Sequence, residues 1–517
     1  MKRVVIIGAG PAGLTAAYEL SKFPEKFEVI LLEESNCFGG IARTVEYNGN
    51  RMDMGGHRFF SKVPEVNEWW EKILPTQGKP AKDYIELGRT CKVSEGGPDP
   101  EKADRVMLFR NRLSRIFFRN KFFNYPITLS FSTLSNMGFF TTLEVGFSYL
   151  KSVLVKRKEN SLEDFYINRF GKKLYSMFFE NYTENVWGRH PKNISPEWGK
   201  QRVKGLSILI ILKSMLEKLF RLSPKKVETS LIEEFSYPKF GPGQLWEITA
   251  AESEKRGVNF FLNSKAEIIH KDANNFVTGV SYRQGDELLK IDCDYLISSM
   301  PLKDLVCGIE NVSDDVKKIA TALPYRDYMT AGVLVSKLNL KNETDIKTIG
   351  NIIPDDWVYV HNPNVKMGRF QVYNNWSPYM VKDLKKFIWL GLEYFCNEGD
   401  ELWSMTDENF ADFAISEMVK MNLIDSAEKV KDYHVERVKK AYPAYFDSYK
   451  DIDKLRNYLD TIPNLFCIGR NGQHRYNNMD HSMCTSFETV KNILSGTKDK
   501  SNIWNINTEK EYHETNK

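Results

Sequence analysis

The chain has 517 residues, of which 42% are hydrophobic and 27% are charged, which predicts a folded protein of two or three domains. Its net charge of +4 is small against 72 basic and 68 acidic residues, so charge implies neither nucleic acid nor an anionic membrane as a partner. Seven scattered cysteines without C-x-x-C spacing predict reduced thiols in a cytoplasm, without a disulfide framework or a metal site.

The first forty-odd residues predict a dinucleotide site. Four apolar residues, 4–7, are typical of a buried parallel strand, and a glycine-rich turn carries the chain from them into a helix. The helix start has free N–H groups that suit a pyrophosphate. The residues that we expect to contact the dinucleotide there are Gly8, Gly10, Pro11, Ala12 and Gly13. A second strand, 27–32, ends at Glu33, twenty residues after Gly13, where a carboxylate is expected to bind the ribose. Because this unit stands where a signal peptide would have to be, secretion is not expected.

The residues that follow Glu33 indicate which dinucleotide is bound. They form an E-x(5)-G-G-x-x-R run that includes Gly40 and Arg43. This run resembles the FAD-containing amine oxidase and protoporphyrinogen oxidase superfamily, and the resemblance implies that Gly40 and Arg43 line FAD. On its own, the glycine pair would be a loop and Arg43 a solvated charge. A further Gly-Gly pair, ending at Gly56, precedes His57, which we expect near the flavin ring; a structural role for this histidine is the alternative.

Residues 76–227 are mainly helical by pattern and predict an inserted domain on the substrate side. No apolar run reaches the ~20 residues that cross a bilayer, so no integral membrane segment is predicted. The nearest stretches, 127–155 and 206–212, are expected to be core helices, with peripheral membrane contact as the alternative because Trp, Phe and basic residues lie near them. A helix start at 195–197 places Trp198 and Arg202 on one face, where an aromatic ring and a guanidinium suit a nucleotide.

The chain then returns to an α/β pattern. Short strands are predicted at 259–262, 265–270, 277–282 and 295–299. Alternating strands, typical of an antiparallel sheet, are predicted at 329–335, 357–361, 369–374 and 387–395. Because residues 362–364 (Asn-Pro-Asn) mark a turn, Tyr359 and Arg369 are expected on neighbouring strands. A strand near 465, a glycine turn and a helix from about Asp480 to Leu494 predict a second helix start facing the flavin.

These patterns predict an α/β fold. A Rossmann-like FAD-binding domain of the glutathione-reductase type is expected from residues 1–75, 228–310 and 450–495. A helical insertion (76–227), an antiparallel sheet domain on the substrate side (311–449) and a polar, disordered tail (496–517) complete the expectation.

The carboxy-terminal motif is more specific. Gly469-Arg470-x-Gly472 with Arg475-Tyr476-x-x-Met479-Asp480 resembles the signature of UDP-galactopyranose mutases, as do residues 54–61, Tyr125-Pro126, Trp198-x-x-x-Arg202-Val203 and 357–379. The resemblance implies a set of substrate-binding residues: Tyr125, Trp198, Arg202, Tyr359, Arg369 and Tyr476. Within this set, Arg202 and Arg369 are implied to hold the diphosphate. It implies cofactor contacts from Gly469, Arg470, Met479 and Asp480, and catalytic roles for His57, Arg202 and Arg369. The loop 91–104 and residues 110–112 depart from the mutases, and 237–246 is equally similar to the protoporphyrinogen oxidase branch.

The resulting hypothesis is an FAD-dependent nucleotide-sugar pyranose/furanose mutase for cell-surface polysaccharide, with N5 of the reduced flavin as nucleophile and a substrate that is UDP-linked. Two alternatives remain: an FAD-dependent oxidoreductase of the protoporphyrinogen oxidase or amine oxidase type, and a flavin-binding partner protein without catalysis. NAD(P)H as reductant and a homo-oligomer are left open by the sequence.

Overall fold

The computed structural model of the chain describes residues 1–125, 127, 131–196 and 234–507. In chain order, the strands are β1 (Lys2–Ile7), β2 (Phe27–Leu32), β3 (Thr44–Tyr47), β4 (Asn50–Asp53), β5 (Met107–Asn111), β6 (Ser114–Phe118), β7 (Lys121–Asn124), β8 (Glu234–Pro238), β9 (Asn259–Phe261), β10 (Ser264–Lys271), β11 (Val277–Gln284), β12 (Glu287–Asp292), β13 (Tyr295–Ser298), β14 (Tyr325–Val335), β15 (Trp357–Val360), β16 (Arg369–Val372), β17 (Ile388–Cys396), β18 (Val430–Pro443) and β19 (Leu465–Cys467).

The helices are Pro11–Leu20, Pro64–Ile73, Lys82–Leu87, Phe131–Met137, Phe139–Leu154, Leu162–Phe178, Glu180–Trp187, Gly243–Glu254, Leu302–Gly308, Asp314–Thr321, Tyr373–Trp376, Asp407–Lys420, Ile452–Asp460, Gly469–Gly472, Met479–Ser495 and Ser501–Trp504. None of the helices in these described parts is long and apolar enough to cross a bilayer.

A five-stranded parallel sheet, in the order β19-β13-β1-β2-β9, forms the first half of the fold. The apolar run of β1 is buried on both faces: Val4 and Ile6 pack in one hydrophobic cluster, and Val5 and Ile7 pack in another. Such two-sided burial is what a continuous apolar strand in a parallel sheet requires. The helices Pro11–Leu20 and Met479–Ser495 pack against each other on one side of this sheet. The α/β fold with a Rossmann-like domain is thereby confirmed.

Part of segment 228–310, which we expected in the FAD-binding domain, does not join the parallel sheet. Strands β10, β11 and β12 form a separate antiparallel sheet, and β12 was not predicted. Short turns join the three strands within residues 264–292. Antiparallel strands can pair across such turns, whereas parallel strands need a long crossover.

The second half of the fold is a seven-stranded sheet in the order β18-β14-β17-β16-β15-β6-β7. It is antiparallel except between β15 and β6, which run parallel. The prediction that residues 76–227 are mainly helical is wrong for 107–124, which form β5, β6 and β7. The hairpin between β6 and β7 turns at Arg119 and Asn120, both of which have positive φ. Such a two-residue turn usually contains glycine, and its absence here left the hairpin without a sequence signal.

The predicted disordered tail is wrong for residues 496–507. Helix Ser501–Trp504 buries Ile503 and Trp504, which are 1% and 4% exposed. Trp504 Nε1 donates to Asp460 Oδ1 at 2.9 Å, and Arg475 donates from Nη1 to the Ile506 carbonyl oxygen at 2.8 Å. Two apolar side chains in a polar stretch were enough to anchor it, because one buried Trp removes a large apolar area from water.

Candidate active site

A large cavity of about 2080 Å³ lies between the two main sheets. One end is lined by the glycine turn after β1 and by the residues near the start of helix Met479–Ser495. The other end is lined by residues of β15, β16 and β18 and by the helix Leu162–Phe178. The cavity therefore joins the predicted cofactor residues to the predicted substrate residues.

The glycine turn has the shape that a dinucleotide needs. Gly8 has φ +97°, and a Cβ on Gly13 would lie 1.9 Å from the Gly8 carbonyl oxygen. Gly13 itself does not line the cavity; it lets the helix Pro11–Leu20 pack directly on the turn. Gly8, Gly10, Pro11, Ala12 and Glu33 do line it, and Glu33 Oε2 accepts a hydrogen bond from the Ala9 N–H at 2.6 Å.

The second glycine pair lies against this first turn. Gly40 has φ +55°, and a Cβ there would lie 3.2 Å from the Gly10 Cα. Arg43 lines the cavity and is held by an ion pair, Nη2 to Glu436 Oε2 at 2.9 Å, and by donation from Nη1 to the Gly40 carbonyl oxygen at 3.2 Å. Arg43 is thus a positioned charge, because both contacts fix its guanidinium beside the glycine pair.

The loop after β4 brings His57 to the cavity. A Cβ on Gly56 would lie 2.9 Å from the Trp357 ring, so only glycine lets the loop approach that close. His57 Nδ1 lies 2.9 Å from the Gly55 carbonyl oxygen, which can only accept, so Nδ1 carries the proton and Nε2 is an acceptor. Burial, with smaller contributions from the charges of Arg470 and Arg369, lowers the pKa of His57 to about 4. The imidazole is therefore neutral at pH 7.

The carboxy-terminal motif closes the same end of the cavity. Gly469 (φ +74°), Arg470, Met479 and Asp480 all line it. Arg470 donates from Nη1 to the Asn477 carbonyl oxygen at 3.2 Å, whereas its Nε and Nη2 are buried without a hydrogen-bond partner. Asp480 Oδ2 accepts from the Ser61 hydroxyl at 2.9 Å. The Arg470 guanidinium also lies 4.2 Å and 4.8 Å from the ring centres of Tyr476 and Tyr442, and its two unpartnered nitrogens are donors that a bound group can satisfy.

These residues fit FAD. The two glycine turns leave backbone exposed where side chains would block a pyrophosphate, and a helix start faces the same space. Glu33 lies where the carboxylate that binds the ribose is expected. Arg470 supplies unpartnered donors in the same cavity.

Arg369 and Tyr359 face each other across two strands at the other end. In the antiparallel pair β15–β16 they occupy directly opposite positions, as the predicted turn between them requires. Arg369 Nε donates to Glu393 Oε2 at 2.5 Å and Nη2 donates to the Tyr442 hydroxyl at 3.0 Å. Its guanidinium also lies 4.5 Å from the centre of the Trp357 ring. These two hydrogen bonds use two of its five N–H groups.

Glu393 is a charged residue of the site that the sequence interpretation missed. It is fully buried on β17 beside Arg369 and also accepts from Gln371 Nε2 at 2.8 Å. Burial lowers the pKa of Arg369, but the charge of Glu393 outweighs this effect and raises it overall. Burial in turn raises the pKa of Glu393, against the charge of Arg369. Because a guanidinium stays protonated and Arg369 Nε donates directly to Glu393 Oε2, we describe the two side chains as an ion pair. A signal was present in the sequence, since Glu393 is the lone charged residue in the apolar strand Ile388–Cys396.

Tyrosines surround this arginine. Tyr125 stacks on Tyr359 at 4.3 Å between ring centres, Tyr182 meets the edge of Tyr359 at 5.9 Å, and Tyr442 stacks on Tyr476 at 5.7 Å. All five line the cavity. Tyr182 and Tyr442 were not predicted as site residues, and it is the fold that brings them here.

Two predicted substrate residues cannot be placed. Trp198 and Arg202 lie outside the described residues, so the expected convergence of Arg202 with Arg369 stays a prediction.

Comparison with known proteins gives the family. No curated protein sequence matches the chain. The solved structures that it resembles include reduced UDP-galactopyranose mutase, with a TM-score of 0.75, 20% identity and 98% of each chain covered. They also include an Exiguobacterium sp. protein provisionally named a protoporphyrinogen oxidase, with a TM-score of 0.64, 14% identity, 96% of this chain and 99% of that one covered. A mutant of putrescine oxidase has a TM-score of 0.56 at 14% identity, covering 96% of this chain and 99% of its own. At these identities the likeness shows the fold. The family model of flavin-containing amine oxidoreductases matches residues 11–478, so the chain belongs to that family, and membership implies FAD as its cofactor.

Proposed function

We propose that the protein is an FAD-dependent nucleotide-sugar pyranose/furanose mutase of the UDP-galactopyranose mutase type, active with reduced FAD. The observation that carries the proposal is the cluster of Arg369 and five tyrosines at the end of the cavity opposite the glycine turns. A nucleotide diphosphate needs charged and hydroxyl donors, and this end supplies both.

Arg369 is suited to hold a diphosphate because it is rigid and charged. Glu393, Tyr442 and the Trp357 ring fix its plane, while three of its N–H groups are not used in those hydrogen bonds. The tyrosine hydroxyls can orient the phosphates and the sugar without adding charge. The likeness to UDP-galactopyranose mutase supports UDP as the nucleotide.

The remaining residues prepare the site for a reaction without net oxidation. Reduced FAD, when bound, supplies the nucleophilic nitrogen of such a reaction. Neutral His57 offers an acceptor nitrogen and adds no positive charge between Arg369 and Arg470. Arg470 keeps its Nε and Nη2 available on the cofactor side. The protein's contribution is therefore orientation and charge stabilisation.

One feature favours a second candidate, an oxidoreductase of the protoporphyrinogen oxidase or amine oxidase type. Ile116, Phe170, Leu174 and Phe178 give the cavity an apolar wall. An apolar substrate would use that wall and leave Arg369 without a ligand. The two candidates therefore differ in whether UDP binds.

The test is UDP binding to purified FAD-loaded protein, oxidised and then dithionite-reduced, followed by a panel of UDP-sugars assayed for furanose product. We expect binding in both states and turnover only after reduction. Tyr359→Phe should weaken UDP binding by about two- to tenfold, the value of one hydrogen bond, whereas Tyr458→Phe, outside the cavity, should not. No UDP binding, with oxygen consumed on an amine or a porphyrinogen, would contradict the mutase proposal and support the oxidoreductase.

A further inference from the structure

We propose that the helix Phe139–Leu154 docks on the surface of an anionic lipid bilayer. The inference concerns a surface outside the cavity and does not depend on which reaction the enzyme catalyses.

This helix exposes large apolar side chains along most of its length. Phe139, Phe140 and Phe147 are 72%, 80% and 71% exposed, and Leu150 and Leu154 are 56% and 82% exposed. The three phenylalanines alone present on the order of 400 Å² of apolar surface, since an aromatic side chain covers ~150–250 Å². That equals the largest apolar patch of a typical monomer, before the leucines are added.

The exposed apolar residues form one face. At 3.6 residues per turn, Phe139, Leu143, Leu150, Leu154, Phe147 and Phe140 fall within an arc about 100° wide. The opposite side contains Val145, Ser148 and Ser152, and Val145 and Ser152 are buried. The helix therefore turns its smaller and more polar side towards the protein and its apolar side outward.

The orientation of the helix is fixed by backbone contacts. Gly171, with φ +81°, lies in the adjacent helix Leu162–Phe178, and a Cβ there would be 2.8 Å from the Tyr149 backbone nitrogen. Ser148 Oγ also accepts from the Lys173 N–H at 3.0 Å. Close approach at Gly171 holds the helix on its Ser148 side, so a simple rotation cannot bury the phenylalanines in the core.

Basic residues border the apolar face. Lys151 stands at the edge of the arc, and Lys156, Arg157 and Lys158 follow the helix end, all exposed. Arg157 lies 3.5 Å from Asp164, and Lys156 Nζ donates to the Asn168 carbonyl oxygen at 2.8 Å. The acid within the helix, Glu144, forms an ion pair with Lys173. An apolar helix face with cations at its margin is the pattern of interfacial helices that bind acidic lipids.

The charges around the helix also favour a bilayer over a second copy of the chain as the partner of its apolar face. A symmetric dimer through this face would bring the same basic end of each helix to the interface. The acids of this region are already paired within the chain: Glu144 with Lys173, Glu159 with Arg169 and Asp164 with Arg157. Anionic lipid headgroups complement the cations directly.

Docking at this face would bring the substrate side towards the membrane. The helix Leu162–Phe178, on which the exposed helix packs, lines the cavity with Tyr166, Phe170 and Leu174.

The test is co-sedimentation of the full FAD-loaded protein with phosphatidylcholine vesicles and with vesicles that also contain phosphatidylglycerol. We expect binding to the anionic vesicles that decreases at high salt. The triple variant Phe140→Ser/Phe147→Ser/Leu154→Ser should lose binding by about tenfold or more. The matched control Leu288→Ser removes a side chain that is 48% exposed on the distant strand β12 and should bind as the wild type does. Flavin absorbance and circular dichroism show that each variant is folded.

Absence of binding to anionic vesicles, or equal binding by the triple variant, would overturn the proposal. Analytical ultracentrifugation without lipid tests the second-copy explanation. A dimer that the triple variant converts to a monomer would show that another copy covers this face.

Discussion

Replacing Arg369 by alanine is expected to lower the free energy of unfolding, in addition to any effect on UDP binding. Glu393 is fully buried and takes its strongest hydrogen bond from Arg369 Nε. Removing the guanidinium leaves a buried carboxylate with two neutral side-chain donors, Gln371 and Tyr328, and no positive partner on β16. Breaking a buried ion pair from one side costs about 3–5 kcal/mol. We therefore expect Arg369→Ala to lower the thermal unfolding midpoint by several degrees.

The double variant Arg369→Met/Glu393→Gln separates stability from binding. It removes both charges while keeping similar volumes, a replacement that is often close to neutral. The single variants Arg369→Met and Glu393→Gln complete a double-mutant cycle with it. Relative to Arg369→Met, the double variant should recover most of the lost unfolding free energy, which gives a coupling energy of about 2–4 kcal/mol. Equal destabilisation by the single and the double variants would refute the reasoning that the orphaned carboxylate is the cause.

UDP binding by the same variants tests the role of the arginine. The double variant should lose UDP affinity by about tenfold or more, because a charged hydrogen-bond donor to the diphosphate is gone. Glu393→Gln alone keeps Arg369 and removes the negative charge beside it, so UDP affinity should rise. Isothermal titration measures both changes, and weaker UDP binding by Glu393→Gln would refute the diphosphate role.

Three further changes test the fold around the site. Burial raises the pKa of Asp53 to about 7, so the native state keeps a proton that the unfolded chain releases near pH 4. The free energy of unfolding therefore decreases as the pH rises from about 4 to about 7, by up to about 4 kcal/mol. Asp53→Asn should remove this pH dependence, which is checked by measuring unfolding at pH 5 and pH 8. Gly13→Ala would place a Cβ 1.9 Å from a carbonyl oxygen, so the purified protein should lose bound FAD by its absorbance, whereas Gly146→Ala, with open space around it, should retain it. Trp504→Ala should destabilise the protein by about 3–5 kcal/mol in thermal unfolding; an unchanged midpoint would mean that residues 496–507 are not anchored as the structure shows.

The sequence by itself determined the cofactor half of the protein. Gly8, Gly10 and Gly13 stand at fixed spacing after an apolar strand, and Glu33 follows at the distance of a second parallel strand. The structure confirms this turn, because every element of it is local and needs only strand, turn and helix in order. The same locality made the helix Met479–Ser495 predictable within one residue at each end.

Tertiary structure decided how the other half of the cavity, which we propose binds the substrate, is completed around the predicted Arg369. Glu393 and Tyr442 come from β17 and β18, which reach Arg369 by strand order and register in the seven-stranded sheet. Long-range pairing of this kind leaves no spacing signal in the chain. The sequence likewise carries no signal that the apolar face of helix Phe139–Leu154 points outward. An apolar helical pattern fixes which residues share a face, but the packing of its neighbour at Gly171 determines whether that face is buried or exposed.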